Sequence, residues 1–403
     1  MIEIGVGISI EKNAVLAAEE AVRRALRNKV GLNRPNLAIL FCTSDIPYPP
    51  VLKALTSQLE NIPIIGMSGS AVFAREGVFT HGLALMLFTF PADVHFSTAC
   101  VKDLKTKPVQ QAGEEFGEDL LQSFKNIPRH LGLTLFDRVV DQGLNFIGGM
   151  QQHLGRSFPC LGACAADPIN PTRARLFYNG SAYADACCGL LLGGKMSFGF
   201  GIQHGWKPLG KPRTITGAIG SSIHTIENQP AVKLYEEYLA STLSELKKEI
   251  TKLSVFYPIG IKIEGEDEYL IRNVVFIDDD GSLHCQGNIP EGASIRLMIS
   301  TKETCLNATS AAVDAAQRQL ASPVMKFYKE RASKFAIAFS SFSRYTLLRR
   351  DAPQELEMVK RGLGETPFIG IYTASELAPM SAATFHGQMY FHNQSFSLMM
   401  VEG

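Results

Sequence analysis

The sequence predicts an α/β protein made of repeated strand–helix–strand units. Two observations carry this. Three apolar runs of strand length end in small polar residues, and each is followed by a helical apolar stripe and a second apolar run entering a turn. The anchors also recur at similar spacing: Phe41 precedes Gly66 by 25 residues, Phe136 precedes Gly162 by 26, and Phe339 precedes Gly370 by 31. Strand, helix, strand at such spacing is a βαβ unit with a right-handed crossover. Continuous apolar strands predict mostly parallel strands buried on both faces.

The first unit opens with LAILFCTS (Leu37 to Ser44). A helix follows with Val51, Leu52, Leu55 and Leu59 on one face, and then IPIIGMSGS enters a turn at Gly66 to Ser70. The run Leu83 to Phe88 closes it. The second unit has LGLTLFDR (Leu131 to Arg138), a helix bearing Leu144, Ile147, Met150 and Leu154, then FPCLGACAAD and the closing run Cys187 to Leu192. The third has KFAIAFSS (Lys334 to Ser341), a helix with Leu356, Val359 and Leu363, then TPFIGIYTASE and the last run Phe396 to Val401.

Different material separates the second and third units. HGWKPLG (His204 to Gly210) predicts a turn around the only Trp, and TITGAIGSSIHTIE a twisted hairpin. One amphipathic helix is expected from Pro230 to about Lys252, so a boundary is placed near residue 229, giving regions 1–228 and 229–403. NVVFIDDDGSLHC predicts a hairpin with an Asp280-Gly281 turn, and the Asp278 to Asp280 run is its tip. IPEGASIRLMIS predicts a strand. NATSAAVDAAQRQL predicts a helix capped by Asn307 or Thr309.

Composition narrows the function classes. The chain has 403 residues, 46% apolar and 19% charged, so it can bury a large core. Lys+Arg and Asp+Glu both number 39, which favours neither nucleic acid nor an anionic surface as partner. No apolar run reaches the ~18 residues of a membrane span, and the N-terminus lacks signal-peptide features, so a cytoplasmic protein is expected. The eight cysteines form no C-x-x-C pair and read as reduced core thiols, with no metal site. Gly189 to Lys195 fits seven places of a phosphate-binding loop, but Met196 stands where Ser or Thr must hold magnesium. A buried strand ending in a Gly-Gly turn is the better reading. No positioned base and nucleophile can be inferred, so catalysis is not expected.

An ordered set of segments resembles the FIST-domain proteins, which carry N- and C-terminal FIST regions in tandem. It comprises GVGISIEKNAVLAAEEAVRRAL, LAILFCTS, IPIIGMSGS, LGACAAD, HGWKPLG, VKLYEEYL, IPEGASIRLM, PFIGIYTASELAP and FHNQSFSLMMV. One departure is Phe339-Ser340-Ser341, where such proteins often have a Cys-containing turn. The resemblance implies an intracellular sensory module for small ligands, with amino acids proposed, acting on a separate signalling partner. A stand-alone subset of the family implies haem, nitric oxide and a partner histidine kinase.

Ligands of parallel α/β sheets sit beyond the carboxyl ends of strands. That places Thr43, Ser44, Ser68, Ser70, Asp137, Arg138, Ser341, Arg344, Tyr372 and Glu376 as ligand-binding candidates, with Trp206 beside them. Arg138 or Arg344 would fork a carboxylate, while Asp137, Asp167 or Glu376 would hold an ammonium group. If haem binds, His204 next to Trp206 is the first axial candidate, His392 the second and His81 the third. Three readings compete: a haem-based sensor, a sensor of amino acids or related polar metabolites without haem, and an α/β enzyme with Cys42 or Cys164 as nucleophile. A purely structural interaction protein is the remaining expectation.

Overall fold

The computed structural model describes residues 1–27, 34–137, 143–167, 170–322, 333–380 and 388–403. The first repeat runs β1 (Glu3–Ser9), α1 (Ala14–Arg27), β2 (Leu37–Thr43), α2 (Tyr48–Gln58) and β3 (Ile64–Gly69). A small hairpin of β4 (Val72–Ala74) and β5 (Gly77–Phe79) and the closing β6 (Leu83–Thr89) complete it. The second repeats this order: β7 (Val94–Lys102), α3 (Val109–Leu121), β8 (Arg129–Phe136), α4 (Gly143–Leu154) and β9 (Cys160–Cys164). The hairpin is then β10 (Leu176–Tyr178) with β11 (Ser181–Tyr183), and β12 (Ala186–Gly194) closes.

The third repeat opens with β13 (Ser197–Gln203) and is then interrupted. The insertion holds β14 (Lys207–Ile219), β15 (Ser222–Ile226), β16 (Gln229–Pro230), α5 (Lys233–Leu239), α6 (Leu243–Phe256), β17 (Ile259–Lys262), β18 (Tyr269–Arg272), β19 (Val274–Ile277), β20 (Leu283–Cys285) and β21 (Ser294–Ile299). The repeat resumes with α7 (Lys302–Ala321), β22 (Lys334–Ser341), α8 (Phe342–Leu348), α9 (Ala352–Leu363) and β23 (Phe368–Thr373). Its hairpin is β24 (Ser375–Ala378) with β25 (Tyr390–His392), and β26 (Phe396–Glu402) closes.

The three repeats make three six-stranded sheets of identical plan: β1-β6-β2-β3-β10-β11, β7-β12-β8-β9-β24-β25 and β13-β26-β22-β23-β4-β5. The hairpins are exchanged in a ring. Repeat 1 lends β4-β5 to sheet 3, repeat 2 lends β10-β11 to sheet 1, and repeat 3 lends β24-β25 to sheet 2. The α/β class and the three βαβ units are as expected. The mostly parallel expectation is corrected: the parallel ladders among the described residues are β2 with β3, β8 with β9 and β22 with β23, and the strands flanking them run antiparallel.

Continuous apolar strands arise because each sheet is covered twice. In β2, Leu37, Ile39 and Phe41 enter a core shared by all three sheets, while Ala38, Leu40 and Cys42 face α1 and α2. Phe41 meets Phe339 of sheet 3 edge-on at 5.8 Å. The register also corrects one anchor. Gly66, Gly162 and Gly370 sit opposite Leu40, Thr134 and Ala338, so the equivalent of Phe41 and Phe339 is Leu135. Phe136, one residue on, points to the opposite face and packs with α3 and α4. A Cβ at Gly66 would stand 1.8 Å from the Leu40 carbonyl oxygen, and one at Gly162 1.9 Å from that of Thr134.

The insertion forms its own sheet, β18-β17-β21-β14-β15-β20-β19, over a separate apolar core. The expected hairpins β14-β15 and β19-β20 are present. Three details differ. The single helix from Pro230 is two, broken at Ala240 (φ +50°) and restarted by a Thr242–Glu245 capping box. Helix α7 begins about two turns earlier than expected and is capped by Thr301 rather than Asn307 or Thr309. Lys207 to Gly210 belong to β14, where a turn was expected. The third repeat begins before residue 229, at β13, so the repeat seam does not coincide with the two-region division.

Candidate functional site

The equivalent strand ends converge. Register places Ser70, Ala166 and Ala374 at the same position, just past β3, β9 and β23, and all three line one recess of about 720 Å³. Asp137, past the end of β8, and Asp167 line it too, as do Thr373, Phe342, Ser343 and Thr346 of repeat 3. The opposite wall comes from the insertion: Thr251, Lys252 and Val255 of α6, then Asn273, Val274 and Val275, and Cys285, Gln286 and Gly287.

That wall is tied to the repeats by amides. Gln286 Nε2 donates to the Ala374 carbonyl at 2.9 Å, and Asn273 Nδ2 donates to Gln286 Oε1 at 3.2 Å. Gln394 Nε2 donates to the Ser254 carbonyl of α6 at 2.9 Å. On the repeat side, Asp137 Oδ2 accepts the Asp185 N–H at 2.6 Å and Oδ1 the Ala186 N–H at 3.3 Å. Asp167 Oδ1 accepts the Asn170 N–H at 2.8 Å, and Oδ2 lies 3.5 Å from Arg173 Nε.

Of the residues predicted from sequence, Ser70 and Asp137 are brought to the recess together with Asp167. Arg138 lies outside the described residues. Thr43 Oγ1 is occupied with the Gly82 backbone, Ser68 Oγ accepts the Arg175 N–H at 2.9 Å, and the Ser44 carbonyl accepts from Arg173. Ser341 is buried at the β22 end, and its hydroxyl has no hydrogen-bond partner among the described residues.

Arg344 and Tyr372 are corrected as ligand contacts. Arg344 is fully buried and donates from Nε (3.0 Å) and Nη2 (2.7 Å) to Glu355 Oε1, and from Nη1 to the His204 carbonyl (2.9 Å). Ser340 Oγ and Tyr372 Oη donate to Glu355 Oε2 at 2.9 and 2.8 Å. Glu355, which sequence reasoning passed over, thus consumes the fork expected to hold a ligand. An Arg or Glu is almost never fully buried unless paired, and Glu355 among the apolar residues of α9 was the available signal.

Glu376 is also fully buried. Burial pushes its carboxyl up to about 7, against hydrogen bonds from Ser395 and Thr373 that favour ionisation. Thr373 Oγ1 lies 3.2 Å from the Ser340 carbonyl and 2.5 Å from Glu376 Oε1, yet has one proton. Both contacts are satisfied when Thr373 donates to the carbonyl and a protonated Glu376 donates to Thr373.

The haem candidates do not form a haem site. His204 and His392 flank a cleft of about 10 Å³, against the roughly 300 Å³ or more of a cofactor-sized site. His204 Nδ1 accepts the Trp206 N–H at 2.9 Å and Nε2 lies 3.2 Å from Glu268 Oε2. His392 Nε2 donates to the Ala378 carbonyl at 3.1 Å, and burial pulls this histidine down to about 3. Trp206 is buried rather than exposed as a platform. His81 Nδ1 pairs with Asp45 at 2.5 Å. Among the described residues the larger recess has no histidine in its lining, and burial pushes its Cys285 thiol up to about 12. The cysteines proposed as nucleophiles fare no better: burial raises Cys42 and Cys164 far above the thiolate range. All eight cysteines are free.

Fold and recess together define a pseudo-threefold α/β protein with a hollow where its repeats meet. The chain belongs to the FIST family: the FIST N domain matches residues 36–229 and the FIST C domain residues 231–379. FIST domains are associated with small-ligand sensing in signalling proteins. An uncharacterised protein of Methanocaldococcus jannaschii is 24% identical over 259 residues, 60% of this chain and 48% of that one, so the chain spans about half the length of this relative. An uncharacterised protein of Mycobacterium tuberculosis (strain H37Rv) is 21% identical over 411 residues, covering 98% of this chain and 99% of its own. Among solved structures, a cyanuric acid hydrolase from A. caulinodans aligns over 100% of this chain and 99% of its own, with 8% identity and a TM-score of 0.36. PurLQS from Thermotoga maritima aligns over 100% and 72%, with 8% identity and a TM-score of 0.24. Likeness at that level carries no argument. No helix among the described residues is long and apolar enough to cross a membrane.

Proposed function

We propose that the protein is a cytoplasmic sensor of small polar metabolites without haem, reporting to a separate signalling partner such as a histidine kinase. The supporting observation is the recess of about 720 Å³ at which equivalent strand ends of all three repeats meet and which the insertion walls off. A ligand seated there touches both bodies at once. It therefore has different contacts when the insertion is closed and when it is open, and that difference shifts a conformational equilibrium. The signal passes through the amide ties of Gln286 and Asn273 to the outer face of the insertion.

A melting-temperature screen of the whole chain against amino acids and related metabolites tests this reading. The expected result is a saturable rise for one chemical group, abolished by Ala166→Leu, which fills the recess. A silent screen would remove the reading. A Soret band in the purified protein, lost in His204→Ala, would replace it with the haem-based one. Timed alkylation addresses the enzyme alternative: half-buried Cys100 should react first, with Cys42 and Cys164 protected until unfolding. Fast labelling of Cys42 or Cys164 would favour a thiol enzyme.

A further inference from the structure

The insertion carries a second polar group, on the face turned away from the recess. Cys285 lines the recess and Leu283 enters the insertion core, so His284 between them projects from the opposite face of β20. Register sets Ser222 of β15 directly opposite His284, Phe276 of β19 on its other side, and Ile219 of β14 opposite Ser222. The row Ile219, Ser222, His284, Phe276 thus crosses four neighbouring strands. Its two ends are large apolar side chains, 75% and 54% exposed. Two hydrogen bonds in series run through its centre. His284 Nε2 donates to Asp278 Oδ2 at 2.5 Å, which leaves Nδ1 to accept the Ser222 hydroxyl at 2.8 Å. Asp278 is fixed at the hairpin tip: its N–H donates to the Ser282 carbonyl at 3.0 Å, and its carbonyl accepts the Gly281 N–H at 3.2 Å. Hydroxyl, imidazole and carboxylate in this order form a base-activated nucleophile. Strand register alone assembles it, since Ser222 and His284 lie 62 residues apart. A contrast lies beside it. His224 Nδ1 and Ser282 Oγ are 3.0 Å apart, but among the described residues no carboxylate is hydrogen-bonded to His224; Asp280 Oδ1 accepts the Ser282 N–H instead, at 2.9 Å.

We propose that this face cleaves small uncharged esters, with Ser222 as nucleophile and His284 as general base. Asp278 is a positioning residue that holds the imidazole. Ser222 Oγ bonds to the ester carbonyl carbon as its proton moves to His284 Nδ1. The C–O bond to the alcohol then breaks, and the leaving alkoxide takes that proton. Water repeats the sequence on the acyl-serine, releasing the acid and restoring the hydroxyl. Ile219 and Phe276 flank serine and base with apolar surface suited to a short acyl chain, and the Asp278 to Asp280 run at the tip disfavours an anionic substrate. The activity is independent of the ligand recess.

The test treats the whole protein with a fluorophosphonate, which an activated serine attacks at phosphorus with loss of fluoride, and maps the adduct by mass spectrometry. Hydrolysis of p-nitrophenyl butyrate is followed in parallel. The adduct is expected on Ser222 and not on Ser282. His284→Ala should slow both reactions by at least about a hundredfold. Asp278→Asn should slow them by about tenfold or more, and Asp278→Glu should recover most of that loss, because a carboxylate again orients the imidazole. Ser282→Ala should leave both rates unchanged. No adduct, equal adducts on Ser222 and Ser282, labelling that survives His284→Ala, or ester hydrolysis that survives Ser222→Ala overturns the proposal. Loss of activity in Asp278→Asn without recovery in Asp278→Glu removes the positioning role.

Discussion

Repeats 2 and 3 place charge at comparable strand ends and use it in opposite ways. In repeat 3, Arg344 and Glu355 close on each other, with Thr309, Ser340 and Tyr372 filling the remaining lone pairs, and nothing faces solvent. In repeat 2, Asp137 and Asp167 accept backbone N–H groups, Asp167 also lies 3.5 Å from Arg173, and both line a hollow. A charged residue at a strand end therefore does not by itself mark a site. In repeat 3 the helix behind the strand seals the charge, through Glu355 of α9.

The largest effect expected from this contrast is on the sealed side. Glu355→Gln leaves Arg344 buried without its carboxylate and should cost about 3–5 kcal/mol of stability, read from urea unfolding. Asp167→Asn, at the open side, should cost far less and act on binding instead. Equal losses in the two variants would break the comparison.

Glu376 stands between the two cases, and pH separates it from both. Its carboxyl is raised from the ordinary 4.5 to about 7, so the folded state binds its proton more tightly than the unfolded chain. Its contribution to stability is thus fully present below about pH 4.5 and lost as pH rises through about 7. The total is about 3 kcal/mol at 1.36 kcal/mol per unit. His392 slopes the other way: lowered from 6.5 to about 3, it contributes stability above about pH 6.5 that is lost as pH falls. Because these windows overlap, the informative quantity is the difference between wild type and Glu376→Gln. The variant should gain on wild type between about pH 4.5 and 7, and a flat difference would mean that Glu376 stays ionised.

How far the sequence discloses this molecule follows from the range of each interaction. The βαβ units were legible because strand and helix periodicities are local, as in Leu37–Ile39–Phe41 and Val51–Leu52–Leu55. Ser70 and Asp137 were legible because turns after buried strands are where polar groups become accessible. The ring of exchanged hairpins was not, since Val72–Ala74 carries no mark of pairing with Ile369–Ile371, almost three hundred residues on. Nor was the insertion wall. Asn273 and Gln286 lie in short segments whose place over the recess is fixed by long-range pairing. The Arg138 expectation falls outside the described residues. The break at Ala240 was legible and missed, because Thr242 and Glu245 have capping-box spacing.

That capping box gives the smallest and most local prediction. Thr242 Oγ1 accepts the Glu245 N–H at 3.4 Å, and Glu245 Oε2 accepts the Thr242 N–H at 2.8 Å. Thr242→Ala should cost about 1 kcal/mol. The cost should stay within the insertion, because α6 packs on the insertion's own core, through Leu246 and Ile250, rather than on the core shared by the three sheets. Amide exchange should therefore quicken along α6, which carries Thr251, Lys252 and Val255 over the recess, while β2, β8 and β22 keep their protection. Such a split would show that the wall can loosen independently of the three repeat sheets, which a recess that opens to admit its ligand requires. Equal acceleration in the strands would mean that wall and repeats unfold as one unit, and the distinction between a rigid repeat body and a responsive cover would fail.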